Sequence, residues 1–311
     1  MATSDLILHH YPNSPFSEKV RLILGAKGLA WRSVHIPVVM PKPDVVALTG
    51  GYRKTPFLQV GADIYCDSAL IARLLEQRQP SPTLYPASLP LAPQFAQWAD
   101  FHLFWCAAAW AMQPAGAVAM LGDAGPELLQ HFAADRAAMT SGMKRMTLAD
   151  AAVQLKTHLA ALDAQLAQGG PYLFGAALSI ADFAVAHCVW FIRKAAPVAH
   201  VLNPHPALLA WSDRMQAFGH ATHDDLTSTE AIAIAASAPG HAATTVEPSL
   251  GFEAGQPVNV YATDYGCDPI AGTLVGLSAG EVVIRRTDER AGTVHVHFPR
   301  AGFQIKKEKL S

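Results

Sequence analysis

Residues that could carry chemistry concentrate near the N-terminus, at the predicted starts of two helices. Ser14 precedes Pro15, a pair typical of a helix N-cap followed by proline at the first helical position. Asp67 and Ser68 precede a second run of apolar residues at helical spacing. The first N–H groups of a helix lack partners within it and lie at the positive end of its dipole, which favours anions. The sequence therefore offers two helix starts that could bind an anion, although ordinary capping would also explain both serines.

The elements that must position these helix starts alternate between strand and helix over residues 5–85. A short apolar run at 6–10 predicts a strand, and the apolar positions after it predict a helix that Gly28 ends. Residues 31–36 predict a second strand, and 57–66 predict a hairpin that leads into the last helix. The predicted order is βαβ followed by ββα.

The middle of the chain is rich in alanine and is predicted to be helical. One stretch, from Leu103 to Leu121, imitates a membrane span, but it is largely alanine and contains Pro114. We therefore predict a buried helix that is broken or kinked at this proline. The predicted helices of this region span residues 92–112, 126–168, 179–195 and 205–218.

In the last quarter of the chain, the spacing of apolar residues differs from that of the helical middle. Residues 236–249 show no apolar repeat and predict a linker. Residues 250–311 contain about five short β-branched or alternating runs, which turn signals such as Asp268-Pro269 separate. This pattern predicts a small β-barrel of the SH3-like kind.

The ordered motifs of the first 85 residues resemble those of the glutathione transferase superfamily. Lys42 lies thirteen positions before Thr55, and Thr55 lies twelve positions before Asp67. This spacing is close to that of omega-like members, whose motifs read Cys-Pro-Phe, Lys-Pro-Glu, Val-Pro and Glu-Ser. The resemblance covers roughly residues 5–220. The motifs that carry it are Tyr11-Pro-Asn-Ser14-Pro15-Phe16, Lys42-Pro43-Asp44, Lys54-Thr55-Pro56-Phe57 and Cys66-Asp67-Ser68.

The resemblance implies an α/β domain joined to an all-α domain. Residues 1–86 would form a thioredoxin-like glutathione-binding domain, and residues 90–235 the all-helical domain. The linker at 236–249 would then carry the small β-barrel-like domain of residues 250–311, which the resemblance does not explain.

The same resemblance implies that Ser14 stabilises the thiolate of glutathione by a hydrogen bond at the helix start. Tyr11, at the end of the first predicted strand, is the alternative activator. Because a hydroxyl cannot form a mixed disulfide, serine at the position of the omega-type cysteine argues against thiol exchange.

The remaining implied contacts follow the shape of glutathione. Pro56 would be in the cis form, so that the backbone of Thr55 pairs with the cysteinyl backbone like a strand. Asp67 and Ser68 would bind the γ-glutamyl end, and Lys42 the glycyl carboxylate. A solvated surface lysine is the alternative for Lys42, with Arg53 and Lys54 as substitutes. The residues implied to bind glutathione are Phe16, Lys42, Thr55, Pro56, Asp67 and Ser68.

The implied activity is the conjugation of glutathione, as a co-substrate, to a small hydrophobic electrophile whose identity the sequence does not reveal. Trp98, Phe101 and Trp105 crowd the first long helix and would line the electrophile pocket. Two alternatives remain open: a non-catalytic scaffold for protein interactions, and a glutathione-dependent isomerase or lyase. A homodimer and a role in detoxification are implied by the family.

Composition and charge exclude several other functional classes of protein. The 311 residues carry a net charge of −2 with only 15% charged residues, which provides no general field for nucleic acid or an acidic membrane. The four cysteines are scattered and favour a reduced, cytoplasmic chain. No metal is expected, because His295, His297 and the polar cluster at 220–225 are predicted to be surface groups.

Overall fold

The computed structural model describes residues 5–122 and 125–308, and it confirms the thioredoxin-like part, the helical part and the appended β module. In the first part the strands are β1 (Ile7–His10), β2 (Trp31–His35), β3 (Phe57–Val60) and β4 (Asp63–Cys66). The helices of this part are α1 (Pro15–Lys27), α2 (Pro43–Thr49) and α3 (Ser68–Arg78).

The first part has the expected order of elements. β1 pairs in parallel with β2 and antiparallel with β3, which forms a hairpin with β4. Ser14 caps α1, and Gly28 ends it in the left-handed conformation that glycine adopts without steric cost. The starts of α1 and α3 are thus fixed by local sequence, and the sheet brings them together.

The helical part follows. Its helices are α4 (Ala92–Trp98), α5 (Phe104–Ala111), α6 (Pro114–Leu121), α7 (Gly125–Met139), α8 (Leu148–Ala167), α9 (Ile180–Lys194), α10 (Pro206–Gln216) and α11 (Ser228–Ser237). A π-helical turn at Ala99–Leu103 joins α4 to α5. The prediction of one helix over 126–168 is wrong, because the chain leaves the helical conformation between Thr140 and Thr147.

The apolar stretch that imitates a membrane span is a pair of bent helices, as the proline predicted, but the prediction that the whole stretch is buried is wrong, because Val118 of α6 is 56% exposed. The chain turns by 89° between Ala111 and Pro114, where α6 begins. Within the described residues, no single helix is long and apolar enough to cross a membrane, and the bent pair passes that test only when its two halves are taken together.

The C-terminal strands are β6 (Pro257–Ala262), β7 (Ile270–Leu277), β8 (Glu281–Asp288), β9 (Gly292–Pro299) and β10 (Phe303–Lys307). Together they form the β module, in which the strand order is β10-β6-β7-β8-β9. The module continues the thioredoxin-like sheet, because β9 pairs in parallel with β4. On the opposite edge, a short strand β5 (His223–Asp225) pairs with β2, so the sheet has ten strands.

The histidines of β9 lie at this seam, so the prediction that they are surface groups is wrong. His297 is 1% exposed, and its Nε2 lies 2.9 Å from the Asp63 carboxylate on β4. Although burial alone would lower the pKa of His297, hydrogen bonds to Asp63 and Glu281 hold it above its ordinary value. The carboxylate that converges on these histidines comes from another strand, 234 positions away in the chain.

The β module and the thioredoxin-like domain share one apolar core. Ile7, Phe57 and Ile64 belong to the same buried cluster as Val296 and Phe298 of β9. The Arg286 guanidinium of β8 also donates a hydrogen bond to the Ala47 carbonyl of α2 at 3.2 Å. The two parts therefore pack as one structural unit.

A chain that ends at Ser237 should fail to fold as a soluble protein. Removal of the β module uncovers one face of Phe57 and Ile64, which are fully buried here, and leaves β4 as an unpaired edge strand. Soluble yield and far-UV circular dichroism measure the effect.

The matched control keeps every residue but cuts the chain at a protease site placed between Ala238 and Gly240. The two pieces should stay associated, because their contacts do not depend on the covalent link. A truncated chain with normal solubility and cooperative unfolding would contradict the shared core.

Candidate functional site

Ser14 lies where the first strand gives way to helix α1. Its hydroxyl oxygen accepts the Ser17 N–H at 3.2 Å, while Ser14 N–H donates to the Tyr11 carbonyl. Ser14 is 2% exposed, yet it lines a cavity of about 580 Å³. No described residue accepts the Ser14 hydroxyl proton. The serine therefore caps the helix and keeps a proton to donate into the cavity.

Two cavities meet beside this serine. The first, which we call the polar cavity, measures about 520 Å³ and is lined by Thr55, Pro56, Asp67 and Ser68. The second, the apolar cavity, contains Ser14 and Tyr11 in its wall. The side chains that line both cavities are Phe16, Lys54, Thr55 and Tyr265.

Thr55 and Pro56 stand at the junction of the two cavities. The peptide bond between them is cis, as the resemblance implied. The chain joins β3 only at Phe57, and no described residue hydrogen-bonds to the backbone N–H or carbonyl of Thr55. These two groups are free to pair with an extended peptide that lies across the junction.

Asp67 and Ser68 begin α3 on the wall of the polar cavity. Asp67 adopts φ 77°, an unfavourable region for a residue with a side chain, and its carboxylate accepts the Ala69 N–H at 2.8 Å. Burial raises the pKa of Asp67, and the nearby Lys54 and Lys19 oppose that shift. The carboxylate and the first turn of α3 thus offer an ammonium acceptor beside N–H donors.

A buried lysine that the sequence did not reveal supports this helix start. The Lys19 side chain is fully buried, and its ammonium donates to the Ser68 hydroxyl at 3.2 Å. The same ammonium pairs with Asp100, whose other oxygen lies 3.0 Å from the His187 ring. The chain of contacts ties α1 and α3 to the helical part. The sequence feature that could have indicated this role of Lys19 is its position three residues after Phe16, on the same face of α1.

Lys42 lies close to Tyr11 and Arg136, which line the apolar cavity. It lines neither cavity, but it is 4% exposed, so the alternative of a solvated surface lysine is wrong. Burial, aided by Arg136, lowers the pKa of Lys42 to about 8. Arg53 pairs with Asp135 and Lys54 with Asp264. Among the described residues, Lys42 has no carboxylate within ion-pair distance, and the same is true of Arg73 in the wall of the polar cavity and Arg145 in the wall of the apolar cavity.

The hydroxyl of Tyr11 faces a different group from that of Ser14. It lies 3.4 Å from the Arg136 guanidinium, which donates to it, and the Lys42 ammonium lies 5.9 Å from the centre of its ring. Tyr11 therefore lines the cavity that also holds Ser14, with its oxygen directed towards these cations.

A loop of the β module enters the site from the other side. Residues 263–269 connect β6 to β7, and Asp264 at their start pairs with Lys54. The Tyr265 ring lies 4.3 Å from the Lys54 ammonium and packs edge-on against Trp105 at 5.1 Å. The Gly266 N–H donates to the Met139 carbonyl at 2.8 Å. This loop forms the wall between the two cavities, which no sequence motif indicated.

The aromatic residues of the first long helix divide between several surroundings. Trp105 lines the apolar cavity and Phe101 the polar cavity. Trp98 lines neither, because it packs against Phe95 and His158. The rest of the apolar cavity is rich in methionine, with Met112, Met120, Met139, Met143 and Met146 in its wall.

Two family models match the chain. The model of the glutathione S-transferase N-terminal domain matches residues 8–83, and that of the C-terminal domain matches residues 145–214. No protein with a curated function matches the chain.

Solved structures extend the match to the whole chain. A GST-like protein from Pseudomonas syringae is 43% identical with a TM-score of 0.80, and the match covers 98% of this chain and 100% of that chain. The β module is therefore common to both.

Two more distant structures share the fold. The β-etherase LigF from Sphingobium sp. strain SYK-6 is 21% identical, with a TM-score of 0.51 over 68% of this chain and 95% of that chain. A glutathione S-transferase from Methylobacillus flagellatus with bound glutathione is 18% identical, with a TM-score of 0.50 over 68% and 95% of the two chains. The Pseudomonas syringae match and the two family models together show that the chain belongs to the glutathione transferase superfamily.

Proposed function

We propose that this protein conjugates the thiol of glutathione to a small, largely apolar electrophile. The observation that carries the proposal is the meeting of the two cavities beside Ser14 and the unpaired backbone of Thr55. One cavity offers groups suited to a zwitterionic peptide, and the other offers an apolar surface.

Glutathione would lie extended along the junction. Its γ-glutamyl carboxylate would face the first turn of α3, and its ammonium would face Asp67. The cysteinyl backbone would pair with Thr55, and Phe16 would pack against it. The glycyl carboxylate would lie towards Lys42, whose charge has no carboxylate partner among the described residues.

The thiol would then lie at the start of α1. The Ser14 hydroxyl donates its proton in a hydrogen bond to the sulfur, and the helix dipole stabilises the negative charge, so the thiol loses its proton to solvent at neutral pH. The thiolate attacks an electrophilic carbon in the apolar cavity. A carbon–sulfur bond forms, and the leaving group departs with its electron pair. No covalent bond to the enzyme is involved.

A lyase is the second candidate, because it would use the same thiolate and the same two cavities. The structural similarity to a β-etherase is the reason to test lyase activity. Analysis of the products formed from ether-linked and halide substrates distinguishes a lyase from a transferase. A non-catalytic scaffold predicts retention on glutathione resin with no turnover of any electrophile. We also propose a homodimer in a reduced, cytoplasmic compartment, where Cys66 and Cys188 stay buried as thiols.

Ser14→Ala should raise the pKa of the bound glutathione thiol, because the sulfur loses a hydrogen-bond donor. We expect kcat/KM with chlorodinitrobenzene to fall about 100-fold, the scale for loss of one preorganised donor. Thiolate absorbance of the bound glutathione and initial rates measure the two effects.

Ser17→Ala is the matched control, since Ser17 lies one turn further along α1 and only its backbone contacts Ser14. This variant and Tyr11→Phe should keep most of the activity. Full activity in Ser14→Ala together with loss in Tyr11→Phe would assign activation to the tyrosine. Failure of the wild type to bind immobilised glutathione would contradict both enzymatic functions.

Binding of S-methylglutathione should weaken as the pH rises above about 8. The pKa of Lys42 is about 8, so the side chain is charged below that pH and loses its charge above it. Lys42→Arg should bind with a much flatter pH dependence, because a guanidinium stays charged. Lys42→Met should bind about tenfold more weakly at pH 7, the scale for loss of one charge-assisted hydrogen bond. Calorimetric affinities unchanged in Lys42→Met would show that the glycyl carboxylate lies elsewhere.

Tyr265→Ala should change which electrophiles are used. Loss of the ring opens the wall between the cavities, so kcat/KM for a bulky aryl halide should rise about tenfold relative to a small one, the scale for a change of pocket size. Tyr261→Ala, on β6 of the same module and away from both cavities, is the control. An unchanged ratio in Tyr265→Ala would exclude the loop from substrate selection.

A further inference from the structure

Three side chains of metal-ligand type converge in the helical part, away from both cavities. His102 and Cys106 lie four positions apart, on the π-helical turn and on α5. His158 projects from α8, which packs against α5. One nitrogen of each histidine and the Cys106 sulfur lie within 4.8 Å of one another.

One of the three histidine and cysteine side chains has a buried polar atom without a partner among the described residues. The His158 Nε2 atom is buried and makes no hydrogen bond. A buried ring nitrogen without a partner costs free energy of folding, so the arrangement needs an explanation.

The surroundings of these three side chains favour the binding of a metal cation. Cys106 is fully buried while the two histidines are half-buried, so the group has a closed apolar floor and an open side towards solvent. The ring of Trp98 stands edge-on to His158 at 5.1 Å and covers one flank. Leu155 and Leu162, about one turn of α8 on either side of His158, are buried. An apolar shell of this kind strengthens metal binding by excluding water.

We propose that His102, Cys106 and His158 bind one Zn²⁺ ion, with a fourth ligand supplied by solvent. Thiolate and imidazole are the ligands that zinc prefers, at bond lengths near 2.3 and 2.0 Å. A tetrahedral ion of these dimensions holds its ligand atoms roughly 3.3–3.7 Å apart. Side-chain rotations that move the atoms by about 1 Å are therefore sufficient to close the site. The ion would tie α5, whose Trp105 lines the apolar cavity, to α8.

A second cluster at the seam of the β module is the weaker competitor. Asp63, His241 and His295 also lie within reach of one ion. However, both Asp63 oxygens already accept hydrogen bonds, from the Ala242 N–H and from His297. The His241 and His295 rings are stacked in nearly parallel planes at 3.8 Å. The buried His295 Nδ1 atom lacks a hydrogen-bond partner among the described residues, as His158 Nε2 does, so the occupied Asp63 carboxylate is what makes this cluster the weaker one.

Titration of the metal-free, full-length protein with Co²⁺ and then Zn²⁺ tests the site. We expect one Co²⁺ per chain, with the near-ultraviolet thiolate-to-cobalt absorption and the intense visible bands of a tetrahedral site, and displacement by Zn²⁺. Cys106→Ser should remove the thiolate band. His158→Ala should weaken Zn²⁺ binding at least about tenfold, measured against a chromogenic chelator.

The controls are Cys267→Ser, which removes the exposed cysteine, and His131→Ala, which removes an exposed histidine of α7. Both should leave stoichiometry and spectrum unchanged. Because Cys106 is buried, circular dichroism and thermal unfolding establish that its variant is folded, and the half-buried His158 provides an independent test. The proposal is overturned if no stoichiometric binding occurs, if the thiolate band persists in Cys106→Ser, or if His241→Ala removes binding instead.

Discussion

The parallel pairing of β9 with β4 is the contact on which the rest of this structure depends. It turns the thioredoxin-like sheet and the C-terminal strands into one ten-stranded sheet. Buried apolar residues from both parts then form a common core, and Asp63 pairs with the buried His297 across the seam. Because β9 is fixed to β4, the loop that begins at Asp264 is held against the site instead of moving on a linker.

This placement explains how a β module reaches the candidate site. The loop puts a carboxylate next to Lys54 and an aromatic ring next to Trp105. Lys54 is paired by this carboxylate, and Arg53 pairs with Asp135 of α7 at 2.8 Å. Positive charge without a carboxylate partner among the described residues therefore remains in the walls of both cavities, at Arg73 and Arg145.

The sequence predicted the local parts of the site well. Ser14 and Asp67 cap the helices where capping residues were expected, since caps depend on hydrogen bonds within a few residues. It failed wherever the partner is distant in the chain. Lys19, paired with Asp100 on another domain, has a residue type that is usually solvated, and Tyr265 belongs to a loop with no family motif. The prediction that the histidines of β9 are surface groups is wrong because their carboxylate partner, Asp63, lies on β4 and is distant in the chain.

By itself, the sequence determined the family, the two helix starts and the presence of a strand-rich C-terminal segment, because motifs, caps and hydrophobic periods are local properties of the chain. Only the tertiary structure decided that this segment extends the sheet, that its loop divides the two cavities, and which cations of the site are paired with carboxylates. These features arise from contacts between residues as far apart as Lys54 and Asp264. Burial and charge pairing at such distances depend on strand register and packing, which no window of sequence contains.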